Sequence, residues 1–227
     1  VQCQWDQRFE LQNRFADLQA SQWIVGSVRT QWEEVILELS EQLEKPSLFL
    51  NTQQIPQSYL DYETPETLGI DRILACWGAA RQCESDNVVV IDAGTACTID
   101  WMDDNAVFRG GVIAPGWKML HSGFQREAPE LPVIQERDLP NNWPGKSTHD
   151  SLRWGIAGTV CAMIRGHIEH YRKSIDQPFE IWITGGDAKS IKSMLPEYEL
   201  HYDPHLVFKG MEWMQEQEWN LPDSSNH

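Results

Sequence analysis

The stretch Asn87-Val-Val-Val-Ile-Asp-Ala-Gly-Thr-Ala-Cys-Thr-Ile-Asp100 decides the fold, because a wholly apolar strand runs into an acid-glycine-threonine turn and straight out again. Val88 to Ile91 suit a strand covered on both faces, the kind found at the centre of an α/β sheet. Asp92 stands at the end of that strand, Gly94 lets a backbone come close to a ligand, and Thr95 and Thr98 add hydroxyls. Backbone N–H groups in such a turn form a concavity for anions, and a carboxylate beside them can hold a cation. Taken alone, the turn fits an ordinary strand ending equally well.

Working outward, Asp71 to Cys83 predicts a helix with an apolar face of Ile73, Leu74, Trp77 and Ala80, preceded by a loop containing Pro56 and Pro65. Farther upstream, 21–28 reads as a short strand, 30–44 as a helix through Trp32, Val35, Ile36, Leu39 and Leu43, and Phe49-Leu50 as part of another strand. Downstream, strands are expected over 96–101 and 106–109, joined by the polar turn Asp103-Asp104-Asn105. Gly110 to Gly116 reads as a glycine-rich turn before a helix over 117–126, and a Pro-rich connection occupies 128–145. Ser147 and Asp150 have the spacing of a capping box and open a long helix to about residue 173. A strand over 179–183, the turn Thr184-Gly185-Gly186 and a helix over 187–195 follow, and the polar tail after Pro222 reads as frayed. Strands and helices therefore alternate twice, with small-residue turns at strand ends, which predicts an α/β fold with a cleft between two halves.

A chain of 227 residues with 41% hydrophobic residues can bury a proper core. Its formal net charge of −16 argues against nonspecific binding to nucleic acid or anionic lipid, so an anionic substrate needs local positive groups or metal ions. Cys3, Cys76, Cys83, Cys97 and Cys161 show neither CxxC nor Cys/His ligand spacing, which predicts reduced thiols in a cytoplasmic protein and no structural zinc. No apolar run approaches the length of a membrane span, and the start lacks the features of a signal peptide.

Several motifs carry a functional and a plain reading. Gly145-Lys146-Ser147-Thr148 ends like a Walker loop, but the required earlier glycine position holds Pro140, and no GxGxxG occurs. Gly69-Ile70-Asp71-Arg72 places an acid and a guanidinium at a helix start, where Asp71 could equally serve as a cap. Thr148 has the same ambiguity, Tyr62 could simply pack, and Gly185 and Gly186 could serve only a tight turn. The histidines have no metal-ligand spacing, and His167 and His170 suit a solvated helix face.

The joint order is far more specific than any single motif. Tyr62-x-x-Pro65-x-x-x-Gly69-x-Asp71-Arg72, Ile91-Asp-x-Gly-Thr-Ala-x-Thr98, Gly110-Gly-x-Ile-x-Pro-Gly116, Leu131-Pro132, Gly145-Lys-x-Thr148 and Thr184-Gly-Gly186 resemble the type III pantothenate kinases over about residues 21–210. The resemblance implies the two-domain, ribonuclease H-like fold shared by acetate kinase, Hsp70 and actin. Residues 1–84 would form the remainder of the first domain and 85–227 the second. It further implies ATP as co-substrate for phosphorylation of pantothenate, the first step of coenzyme A synthesis, with Mg2+ and a monovalent cation (K+ or NH4+), in a cytoplasmic homodimer. By residue match Asp71 would be the general base. Tyr62, Gly69, Ile70, Asp71 and Arg72 would line the pantothenate site, with Arg72 facing the carboxylate and Thr148 reaching pantothenate across the dimer interface. Gly94, Thr95, Gly185 and Gly186 would serve ATP, and Asp92 the potassium ion.

One departure stands out. The family opens on a strand ending in Asp-x-Gly-Asn-Thr, and residues 1–20 contain no such motif, so the expectation is a first domain lacking its first strand and turn. A non-catalytic relative that keeps the pantothenate pocket is the alternative; the presence of Asp71, Arg72 and Asp92 favours the enzyme. A sugar or acetate kinase of the same superfamily is disfavoured by the Gly-x-Asp-Arg segment.

Overall fold

A computed structural model of the chain describes residues 22–27, 30–85, 87–217 and 219. The expectations for residues 1–20, Cys3 and the tail after Pro222 lie outside the described residues. Near the start, β1 (Trp23–Gly26), α1 (Thr30–Gln42) and β2 (Ser47–Leu50) form a parallel βαβ unit in which Trp23 pairs with Ser47 and Gly26 with Leu50. Val35 and Leu39, four apart on α1, bury against Trp23, as a helix lying on a strand pair requires. Three short 3-10 turns, at 52–54, 57–59 and 65–67, carry the chain to α2 (Ile70–Ala80).

The second half is built on a five-stranded sheet of β3 (Asn87–Ala93), β4 (Ala96–Met102), β5 (Phe108–Pro115), β6 (Phe179–Thr184) and β7 (Leu200–Tyr202), ordered β5-β4-β3-β6-β7. The first three strands are antiparallel neighbours and β6 and β7 run parallel to β3, the strand order of a ribonuclease H-like domain. β3 is thus central, as its continuous apolar run predicts. The remaining helices are α3 (Trp117–Glu127), α4 (Thr148–Arg153), α5 (Thr159–Ser174), α6 (Ala188–Met194) and α7 (Leu206–Glu216).

Strand alternation divides the core in two. Val88, Val90 and Met102 face α2 and α7, together with Leu74, Trp77 and Met214. Val89, Ile91, Cys97 and Ile99 face Ile164 and Ile168 of α5 and Ile191 of α6. A smaller cluster of Trp117, Ile134, Leu152 and Ile156 seats the Pro-rich connection against α3 and α4. Helices α2 and α7 cross at glycines: a Cβ at Gly78 would lie 1.9 Å from the Leu206 carbonyl oxygen, and one at Gly210 would lie 1.9 Å from that of Leu74.

Several expected boundaries change. Gly110 and Gly111 lie inside β5 and are not a turn. Gly110 has φ +90°, where the β4–β5 register shifts, and a Cβ at Gly111 would meet Asp100 Oδ1 at 2.2 Å, so these glycines permit close strand pairing. The long helix from 147 is broken into α4 and α5 by a π-turn over Trp154–Gly158. Only half of the expected capping box forms, Ser147 Oγ accepting from the Asp150 N–H at 3.1 Å. Strand β7 and helix α7 were not expected. Among the described residues Cys76, Cys83, Cys97 and Cys161 are free thiols, and no helix is long and apolar enough to cross a membrane.

Candidate active site

The site gathers where the carboxyl end of β3, the start of α2 and the turn after β6 meet. The register sets Asp92 between Thr98 on β4 and Thr184 on β6. Asp92, Thr98 and Asp100 fall on the same side of the sheet as Val88 and Val90, which is the side covered by α2. Gly69 is the N-cap of α2, and no side chain caps it. Asp71 is the second residue of that helix, and its carboxylate accepts the Arg72 N–H at 3.0 Å, so it is not the cap residue.

Burial pushes the Asp92 carboxyl up to about 6, and the neighbouring Asp71 and Asp100 carboxylates add to the rise. Burial also raises Asp71, against which the Arg72 N–H and the Arg72 charge work in the opposite direction. Mutual repulsion of this kind is relieved by a cation or a shared proton, and it marks functional sites.

Two glycine turns close on Asp92. In the β3–β4 turn the Gly94 N–H donates to the Ala96 carbonyl at 3.0 Å, and the Thr95 carbonyl accepts the Gly116 N–H at 3.2 Å, which fixes the start of α3 against the turn. Thr95 itself is exposed. Gly185, at φ +94°, passes so close that a Cβ there would lie 2.5 Å from both Asp92 Oδ1 and the Ala93 carbonyl oxygen. Only glycine combines that backbone conformation with that approach. Gly186 has open space around its Cα, and the following Asp187 N–H donates to Ala93 at 2.9 Å. Gly94 and Gly185 therefore lie against Asp92, and Thr95 and Gly186 are the residues that follow them in the two turns.

The other group of expected residues is organised by Arg72. Its guanidinium is 6% exposed and meets Asp100, itself 2% exposed, through Nε at 3.1 and 3.2 Å and through Nη2 at 2.5 Å. Nη1 lies 3.4 Å from the Tyr62 hydroxyl, and the guanidinium carbon is 5.5 Å from the Phe108 ring centroid. Tyr62 arrives because the Leu60–Asp61 segment bonds to β5, Asp61 N–H donating to the Phe108 carbonyl at 2.9 Å. Burial pushes the Asp100 carboxyl up while Arg72 pulls it back, and the paired geometry is that of two ionised groups. Ile70 is buried in the core beside them. Thr148 is exposed at the start of α4, and among the described residues no hydrogen bond joins it to Tyr62 or Arg72.

Sequence reasoning assigned no role to Asp100, although an acid at alternate spacing from Thr98 in an otherwise apolar strand is a readable signal. It also passed over Arg137, which bridges from the Pro-rich connection to the buried Asp187 and lies 5.0 Å over the Trp117 ring. No local spacing links those two positions.

Comparison with known proteins identifies the family. Residues 3–170 match the family model described as type III pantothenate kinase. The type III pantothenate kinase of Flavobacterium johnsoniae is 33% identical over 175 residues, covering 77% of this chain and 70% of that protein. That of Zymomonas mobilis is 35% identical over 159 residues, covering 70% of this chain but 57% of that protein, so the match there spans little more than half of the relative. A solved structure from Campylobacter jejuni, described as a Baf family transcriptional activator, superposes with a TM-score of 0.62 at 24% identity over 92% of this chain and 89% of that one, a likeness of fold alone. With the ribonuclease H-like sheet, the ordered motifs and these matches together, the chain belongs to the type III pantothenate kinase family.

Proposed function

We propose that the protein is an ATP-dependent pantothenate kinase, transferring the γ-phosphoryl group to the primary hydroxyl of pantothenate in the first step of coenzyme A synthesis. Residues 1–84 and 85–227 are taken as its two halves. The observation that carries the reading is the convergence of Asp71 with Asp92 and the two glycine turns at the carboxyl end of β3. Phosphoryl transfer needs alignment and charge neutralisation more than covalent help. Asp71, held at the start of α2 with its pKa raised by burial, accepts the hydroxyl proton. Gly94, Thr95, Gly185 and Gly186 present backbone to the nucleotide phosphates.

Asp92 and Asp71 offer hard oxygen donors suited to Mg2+ or K+. Among the described residues no three His, Cys, Asp or Glu side chains form a metal cage, so the other donors have to be carbonyls, water or the nucleotide itself. A cation here would supply neutralisation of phosphate charge, and the raised pKa of Asp92 is what an acid awaiting such a partner has.

Tyr62, Gly69, Ile70 and Arg72 form the pantothenate pocket, and Thr148 completes it from a second copy in a cytoplasmic homodimer. Ile113 on β5, Met119 on α3, and Val133 and Trp143 on the connection are exposed apolar side chains that contact with a second copy would cover. Labelled phosphate passing from ATP to pantothenate, with Mg2+ and K+ present, is the direct test. Asp71→Asn lowers kcat by roughly a hundredfold or more; an unchanged rate removes Asp71 as the base. A light-scattering mass of one chain contradicts the dimer.

A further inference from the structure

We infer that Asp100 is the positioning residue that gives the pocket its preference for a carboxylate-bearing acceptor, by fixing which edge of Arg72 the substrate meets. The inference rests on the kinase reading and extends it to a residue that contributes no contact of its own to the substrate.

A guanidinium has five N–H groups along two usable edges: Nε with Nη2, and Nη1 with Nη2. Asp100 occupies the first edge, accepting from Nε at 3.1 and 3.2 Å and from Nη2 at 2.5 Å. Both groups are buried, at 6% and 2% exposure, so the arrangement does not exchange freely with water. What remains is the second edge, with Nη1 beside the Tyr62 hydroxyl at 3.4 Å. That edge can still form two parallel hydrogen bonds to a carboxylate.

The surrounding residues make Asp100 the determinant of this geometry. The Arg72 guanidinium carbon lies 5.5 Å from the Phe108 centroid and 5.9 Å from that of Tyr62, and the one acceptor these rings offer, the Tyr62 hydroxyl, meets Nη1 and not the Nε edge that Asp100 holds. Gly111 lets β5 pass against Asp100, since a Cβ there would lie 2.2 Å from Oδ1 and 2.3 Å from the Ile99 carbonyl oxygen. The carboxylate is thus held by strand β4 and by the close passage of β5, and Arg72 is aimed by it from the first turn of α2. Without that anchor a long arginine side chain regains rotamers, and the carboxylate-binding edge is no longer presented in one orientation.

The test compares pantothenate with its analogue carrying an alcohol in place of the carboxylate, using wild type, Asp100→Asn, Arg72→Gln and the double variant. In Asp100→Asn the KM for pantothenate should rise roughly tenfold or more, while kcat, the KM for ATP and the constants for the alcohol analogue change by less than about threefold. Preference for the carboxylate substrate then falls by the same factor, and in the Arg72→Gln background Asp100→Asn adds nothing further. Equal losses for both acceptors, or an undiminished effect of Asp100→Asn without Arg72, overturn the proposal.

A nitrogen NMR spectrum of wild-type protein provides a reading that needs neither turnover nor a folded variant. The Arg72 Nε–H should appear as a slowly exchanging, hydrogen-bonded resonance. Its absence overturns the proposal even in an active kinase. Its presence in a protein that phosphorylates neither acceptor supports the anchoring by Asp100 and overturns the kinase reading instead.

Discussion

Replacing Gly210 by alanine offers the sharpest test of how the site is held, because the consequence can be worked out from one contact. The added Cβ would lie 1.9 Å from the Leu74 carbonyl oxygen, 2.6 Å from its carbonyl carbon and 2.8 Å from its Cα. All three are backbone atoms of α2, so no side chain can turn aside. A carbon next to a carbonyl oxygen needs roughly 3.3 Å, so the two helices must part by about 1.4 Å at the crossing. Overpacking of this kind costs about 1–3 kcal/mol, and more where backbone must move. A gap of that width also forfeits much of the dispersion energy among Leu74, Trp77, Met211 and Met214. Against this, alanine in a helix returns only about 1 kcal/mol relative to glycine. Taking the upper end of that cost, because backbone must move, the net expectation is a loss of about 2 kcal/mol, read as a lower urea midpoint at unchanged slope. Gly123→Ala in α3 and Gly166→Ala in α5, where an added Cβ meets no atom within 4 Å, are the matched controls and should hold or gain stability. Because α2 carries Asp71 and Arg72 at its start, Gly210→Ala should also lower kcat/KM by tenfold or more, as misplacement near 1 Å commonly does. A Gly210→Ala protein as stable and as active as the controls would refute the reasoning.

Three further outcomes are expected. Gly185→Ala meets both a φ of +94° and atoms at 2.5 Å, so the KM for ATP should rise at least about tenfold, whereas Gly186→Ala should change it little; equal effects at the two positions would contradict the close approach. Asp92 is raised in the folded protein to about 6 from 3.8, so the native state holds more protons than the unfolded chain in that window and stability falls as pH rises through it. Asp92→Asn, measured by urea midpoints in cation-free buffer, should therefore match wild type near pH 4 and exceed it by about 2–3 kcal/mol at pH 8, with added K+ closing the gap; a difference independent of pH would refute this. Arg137→Ala leaves the Asp187 carboxylate, 8% exposed, without its cation and uncovers the Trp117 ring, at a cost of about 1–2 kcal/mol in thermal denaturation; an unchanged melting temperature would mean the connection is not tied to that turn.

Strands β3, β4 and β6 and the glycine turns after β3 and β6 were legible in the sequence because they rest on short-range signals. Val88 to Ile91 announced a strand covered on both faces, and the structure sets it third of five. The β5 glycines were misread because Gly-Gly signals a turn locally, whereas here the residues are selected by the neighbouring strand, Gly111 by the proximity of Asp100. Helix α7 escaped notice because its buried positions, Leu206, Gly210, Met211 and Met214, include a glycine whose value lies in its contact with α2. The same limit applies to the pocket. Asp71 and Arg72 are adjacent in sequence, but Arg72 is oriented from 28 residues away by Asp100, and Asp187 is engaged from 50 residues away by Arg137. Pairings at such separations leave no periodic trace in one chain.

The π-turn at Trp154–Gly158 works as a phase shifter. An α-helix repeats every 3.6 residues, and one widened turn slips everything beyond it by about 100° relative to everything before it. Leu152 and Ile156 can therefore face the connection and Trp117, while Val160, Cys161, Ile164 and Ile168 face the sheet, from one nearly continuous rod. Deleting a single residue within the turn would rotate α4 away from the connection and swing Thr148 round the rod with it, leaving the sheet-facing half undisturbed. The azimuth of Thr148 about that axis is set by a count of residues, and substitutions that keep the count leave it where it is.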